Sequence, residues 1–325
     1  MKTAAQIFLP GTMRTGASLV GNLLSVHSKI QVFAEKVHFF RFIYGKYDPL
    51  TMGNAERALH HIRIRWHYRF GVSFEPDAVM ANLSEKTLSN TTLYNEILRY
   101  LCMKADAEIW VENVTLHWRD ISGFLNMFPN GKAIHVYRDP RGVLASWRKM
   151  TFSKESLFLN VIFNWIDSIN HMRRYSQILP ADRYMAVKFE DMHAEPEKNC
   201  HKICDFLGIE FEELMLQPEK WAENFNDDFV EANVSSHTRE KVYGFNPDRG
   251  EAWKTVLEPW ELATAEFLAS KQMGDAGYKP SMETYIAEDI QYGFSKLISH
   301  PFLLKNFQIF QSTGEGNNLY PTEPT

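Results

Sequence analysis

Short, uninterrupted apolar runs alternate along this chain with longer stretches in which apolar residues recur at helical spacing. Residues 6–9 read as a strand, followed by a glycine-bearing turn and a helix over about 17–27. Residues 108–111, 133–137 and 183–188 read as three further strands, and Val32-Phe33 closes another short one. Asp139-Pro140 stops the strand at 133–137, and a helix then runs to about 150; another follows at 195–207. Short apolar strands separated by helices predict βαβ units. The expected fold class is α/β: three layers, with a central parallel sheet and helices on both faces.

Between the strands, the stretch at about 38–107 is too long for a plain crossover and carries His, Arg and aromatic residues in several helical patterns. It predicts a helical insertion over the C-terminal edge of the sheet, where open α/β sheets hold ligands. Residues 221–250 are polar and turn-rich, a long loop of the kind that serves as a lid. Helical patterns over about 282–311 extend the C-terminus, and the composition of 312–325 predicts a disordered tail. The reading is one domain over 1–311.

The totals narrow the ligand class. A net charge of −5 over 325 residues disfavours nucleic acid as a partner, so any anion must be held by a local basic cluster. Three cysteines make no disulfide framework, and Cys200 and Cys204, four apart on a predicted helix, lack the further ligands a metal site needs. No secretory signal or membrane-length apolar segment is legible, so the expectation is a soluble, cytoplasmic protein.

The strand at 6–9 leads into Gly11-Thr12-Met13-Arg14-Thr15-Gly16-Ala17-Ser18 and then an apolar-periodic helix. That is nearly the phosphate-loop pattern in its strand–loop–helix setting, so the expected fold is P-loop-like. Ala17 stands where a nucleoside triphosphatase needs its lysine, and the cation is Arg14 instead. Backbone amides at a helix N-terminus, the Ser18 hydroxyl and a planar guanidinium make an anion cradle without the usual Mg-triphosphate signature. A second element reads Tyr137-Arg138-Asp139-Pro140-Arg141-Gly142, with Ser146 about two helical turns on. Arg138 and Ser146 can face one phosphate at the sheet edge, while Arg141 is placed to pair with Asp139.

The two elements together resemble those of sulfotransferases that use 3′-phosphoadenosine 5′-phosphosulfate (PAPS). The style is nearer to the carbohydrate, tyrosyl-protein and bacterial members than to the cytosolic phenol and steroid group. The resemblance covers about 6–40, 108–150 and 183–275, in family order. It implies that Arg14, Thr15, Gly16, Ala17 and Ser18 hold the 5′-phosphosulfate, that Arg138 and Ser146 hold the 3′-phosphate, and that Arg249-Gly250 belongs to a late segment covering the cofactor. It further implies transfer of a sulfuryl group to a hydroxyl or amine with no metal required. Arg239 and Lys241 compete with Arg249 for the 3′-phosphate.

The chain also departs from the pattern: Asn113 stands where the family carries a lysine, so a second cation at the transferred group is not expected. Two residues are candidates for taking the acceptor's proton. Glu35 lies 21 positions after Arg14, a spacing that matches the glutamate of tyrosyl-protein sulfotransferases, and it is preferred over His117 at the end of the second long strand. Each also has a plain structural reading, as helix-cap and helix-start residue. The acceptor is expected to be a small molecule or a carrier-bound natural product. The alternatives are a P-loop kinase, which Mg-independent turnover would separate, and a non-catalytic nucleotide-binding relative.

Overall fold

The computed structural model describes residues 5–34, 36–70, 73–102, 104, 106–149, 157–221, 244–281 and 286–317. Five strands, β1 (Ala5–Gly11), β2 (Ile30–Ala34), β3 (Ile109–Thr115), β4 (Lys132–Tyr137) and β5 (Tyr184–Lys188), pair in parallel in the order β2-β3-β1-β4-β5. β1 leads into α1 (Ala17–Ser25). The span between β2 and β3 holds α2 (Phe39–Phe42), α3 (Met52–Phe70), α4 (Pro76–Leu83) and α5 (Asn90–Leu101). Next, α6 (Ile121–Met127) precedes β4, and α7 (Pro140–Arg148) and α8 (Val161–Ile178) follow it. After β5 come α9 (Phe189–Ala194), α10 (Pro196–Leu207) and α11 (Pro218–Trp221). The described chain closes with α12 (Pro259–Asp275), α13 (Ala287–Ser299) and α14 (Pro301–Thr313).

Strand alternation explains the layers. Ile7 and Leu9 face one side with Val111, Val136 and Val187 and are covered by α1 and α10; Phe8, Trp110 and Tyr184 face the other and are covered by α2–α6. Tyr137 and Ala186 join a third cluster built from α7, α8 and the C-terminal helices. A sheet buried on both faces needs strands apolar on both faces, which is why its strands read as continuous apolar runs. The stretch 38–107 therefore packs broadly against a sheet face through Phe39, Trp66, Phe74 and Tyr94, rather than only covering the C-terminal edge. Cys200 and Cys204 are buried free thiols in the α10 core, pushed up to about 12 and about 11 by burial.

The tail expectation needs correction at its start. α14 runs to Thr313, and Gly316 is buried against α8, donating its N–H to Asp167 Oδ2 at 3.3 Å and accepting from Arg119 Nη2 at 2.6 Å. Asp167 also accepts from Trp118 Nε1 at 3.1 Å and Arg119 Nε at 2.9 Å. Burial opposes the charge of Asp167, and His171 and Arg119 more than offset it, holding the carboxyl below its usual value. A buried carboxylate needs donors from every side, and that need orders a polar segment whose composition alone reads as disorder. Residues 318–325 lie outside the described residues.

Candidate functional site

β1 and β4 are neighbours, and the loops that leave their C-terminal ends meet where the strand order reverses. Gly11 ends β1 so close to β4 that an added Cβ would stand 2.9 Å from the Val136 carbonyl and 2.6 Å from Thr15 Oγ1. Thr15, buried, closes the loop by donating to the Thr12 carbonyl at 2.7 Å. Gly16 caps α1 at φ 100° with its Cα against the Phe189 ring. Arg14 also lies in the left-handed region, at φ 71°, a conformation that non-glycine residues seldom keep without a functional reason. The turn presents the amides of the first turn of α1, with Ala17 buried and Ser18 exposed beside them. Gly16→Ala is expected to destabilise the fold by about 2–4 kcal/mol, because it combines a steric collision with an unfavourable φ. Urea unfolding of the variant checks this, with an unchanged midpoint as the contrary result.

The loop after β4 supplies the second arm. Arg14 Nε donates to Ser146 Oγ at 2.8 Å, joining side chains 132 residues apart. Arg138 donates from Nη1 to the Arg14 carbonyl at 3.3 Å and from Nη2 to the Arg249 carbonyl at 2.9 Å, with its guanidinium 4.1 Å over the Phe189 ring. Burial lowers Arg138 to about 10; Glu190 pulls it back up, and Arg14 and Arg249 push it down. Arg141 is structural. It grips Asp139 and Glu266, at 2.6 Å and 2.7 Å, and lies 4.1 Å over the Trp253 ring. Gly250 sits against Glu190, whose carboxylate accepts from the Asp139 N–H at 2.9 Å and from the Tyr278 hydroxyl at 2.8 Å. Arg239 and Lys241 lie outside the described residues.

On the other side of β1, the Leu116 N–H donates to the Gly11 carbonyl at 2.8 Å and brings His117 to the mouth of the anion loop. His117 is buried; its Nδ1 is 2.7 Å from Asp120 Oδ2 and its Nε2 is 3.1 Å from His38 Nδ1. The backbone N–H of His38 donates to Glu112 at 2.9 Å, and the Tyr94 hydroxyl donates to the same carboxylate. Burial pushes the Glu112 carboxyl up, against the pull of Tyr94, His117 and the His38 and Phe39 amides. Asn113 points the other way, toward Gly21 of α1. Glu35 lies outside the described residues; beside it, the Lys36 carbonyl is held by Arg65 Nη1 and Trp66 Nε1, both at 2.8 Å.

Of the expected residues, Arg14, Arg138, Ser146 and Arg249 come together, with the Thr15–Ser18 turn beside them. Sequence reasoning did not single out His38, Asp120, Tyr94, Glu112, Phe189 or Glu190. The one available signal was polar residues set in buried apolar runs, His38 before Phe39-Phe40 and Glu112 within β3.

The donor set suits an anionic ligand. Three arginines are gathered in one place, and Arg138 Nε and Thr12 Oγ1 are buried without a hydrogen-bond partner among the described residues. The Sulfotransferase family model matches residues 6–213, the region that carries both loops. The chain belongs to the sulfotransferase family. Among its relatives, protein-tyrosine sulfotransferase 2 of Gallus gallus is 26% identical over 221 residues, 66% of this chain and 54% of that protein. Sulfotransferase 2A6 of Rattus norvegicus is 30% identical over 93 residues, 25% of this chain and 33% of that protein. This sulfotransferase chain thus spans about half, or less, of the curated relatives it matches. Two solved structures share the fold, each with a TM-score of 0.58 over 86% of this chain. They are the sulfotransferase domain of the Synechococcus PCC 7002 olefin synthase, 19% identical over 97% of that domain, and that of the curacin biosynthetic pathway, 17% identical over 99%.

Proposed function

We propose that this sulfotransferase moves a sulfuryl group from PAPS to a hydroxyl or amine of a small-molecule or carrier-bound acceptor. One observation carries the reading: the Arg14–Ser146 hydrogen bond, with Arg138 on the Arg14 carbonyl, joins the loops after β1 and β4 into one cationic cradle. The two structural neighbours come from biosynthetic systems, an olefin synthase and the curacin pathway, and support an acceptor of that class.

The donor supplies the sulfuryl group already activated as a phosphosulfate. The chain's own work is to bind, orient and move a proton. Arg14, the amides opening α1 and the Ser18 hydroxyl would hold the 5′ end, where negative charge grows as transfer proceeds. Arg138, Ser146 and Arg249 would hold the 3′-phosphate, with Glu190 and Tyr278 fixing the loop that aims Arg138. Two residues compete to take the acceptor's proton: Glu35, favoured by its spacing from Arg14, and His117, whose ring is oriented by Asp120 at 2.7 Å.

Nucleotide selectivity tests the cradle. The protein is expected to bind 3′,5′-bisphosphoadenosine much more tightly than AMP, and Arg138→Ala and Ser146→Ala to narrow that gap. Each should lose on the order of 1.5–3 kcal/mol toward the bisphosphate, about ten- to a hundredfold. Titration calorimetry decides, and equal losses for both nucleotides would show that these side chains do not read the 3′-phosphate.

A further inference from the structure

Two arginines, Arg138 and Arg141, follow the end of β4, and the fold treats them differently. Arg141 is neutralised: Asp139 and Glu266 take its N–H donors, and the Trp253 ring covers its face. Among the described residues Arg138 has no carboxylate within ion-pair distance. Its Nη atoms reach the main-chain carbonyls of Arg14 and Arg249. Glu190 spends its carboxylate oxygens on the Asp139 N–H and the Tyr278 hydroxyl instead.

What holds the plane of Arg138 is a ring. Its guanidinium lies 4.1 Å over Phe189. A carboxylate partner takes N–H donors and cancels charge. An aromatic face does neither, because the donors lie in the guanidinium plane and the ring meets that plane from the side. Stacking therefore fixes the group and keeps its full charge for an anion.

Strand order puts the ring there. β5 neighbours β4 and β4 neighbours β1, so Phe189, the first residue after β5, stands beside the loops that leave the other two. Two positions after Val187, it continues the sheet face covered by α1 and α10. Its second contact is the anion loop: a Cβ added at Gly16 would stand 2.3 Å from Phe189 Cδ2 and 2.9 Å from Cε2. His193 meets the ring at 4.3 Å and 67°, and its own Nδ1 accepts from the Asn246 N–H at 2.8 Å. One side chain thus touches both the turn that opens α1 and the arginine that leaves β4.

We propose that Phe189 is a positioning residue for the nucleotide; this rests on the PAPS-dependent sulfotransferase reading above. It sets the plane of Arg138 and the spacing between Arg138 and the anion loop. Through them it sets the preference for a nucleotide phosphorylated at both the 3′ and the 5′ position.

Phe189→Leu tests this, since leucine keeps the position apolar and removes the ring face. The preference for 3′,5′-bisphosphoadenosine over AMP, read by titration calorimetry, should narrow about tenfold, as loss of a desolvated cation–ring contact predicts. In an Arg138→Ala background the same substitution should narrow it no further, because the ring acts through the arginine. An unchanged preference in Phe189→Leu, or a narrowing that simply adds to that of Arg138→Ala, overturns the assignment. A measurement on the wild type stands in if the leucine variant does not fold. With Arg138→Ala assigning the signals, the Arg138 guanidinium resonances in the bisphosphate complex should carry the upfield ring-current shift of a group stacked on an aromatic face. Unshifted resonances also overturn it. A wild type that binds the two nucleotides equally would instead sink the PAPS reading.

Discussion

Arg14→Ala is expected to lower turnover on the order of a thousandfold, the usual worth of a charge aimed at the transition state of such a transfer. The fold should survive, because Arg14 is half-buried on a loop, outside the three hydrophobic clusters that hold the sheet and helices together. The left-handed φ of Arg14 calls for a control, since alanine at φ 71° carries strain of its own. Arg14→Gly removes the charge and relieves that strain. Equal losses in the two variants assign the effect to the guanidinium; a glycine variant near wild-type rate would show that only backbone geometry matters. Thermal unfolding of both variants confirms that a folded protein is being assayed.

The second large effect concerns the base. His117→Gln is expected to cost roughly 10²–10⁴ in turnover with little change in bisphosphate affinity, the range of general-base catalysis. Glu35→Gln is expected to cost as much if Glu35 takes the proton, and less than about tenfold if His117 does. The measurement is a pair of kcat values, with binding measured alongside, so that loss of chemistry is separated from loss of cofactor. A reversed ranking makes Glu35 the base, as its spacing from Arg14 proposes, and removes His117 from the proton route.

The chain by itself determined the layers and the anion loops. Strands buried on both faces have to be apolar on both faces, so β1, β3, β4 and β5 announce themselves as short runs, and the helices between them force parallel pairing. The loop from Gly11 to Ser18 and the run from Arg138 to Ser146 are each contiguous, and their chemistry depends on residue type and local spacing, which a linear reading retains. Arg141 pairing with Asp139 was legible for the same reason: the partners are two residues apart.

What only the tertiary structure decided are the contacts between distant segments. Arg14 meets Ser146 across 132 residues, His38 meets His117 across 79, and Arg119 meets Gly316 across 197. No periodicity encodes such pairs, because they follow from strand order and from the demands of buried charge. Asp167 orders a polar segment that composition reads as disorder. Glu112 holds His38 in a conformation its own propensity opposes. The sheet order then sets the histidine pair beside the anion loop, where local sequence showed only two separate imidazoles.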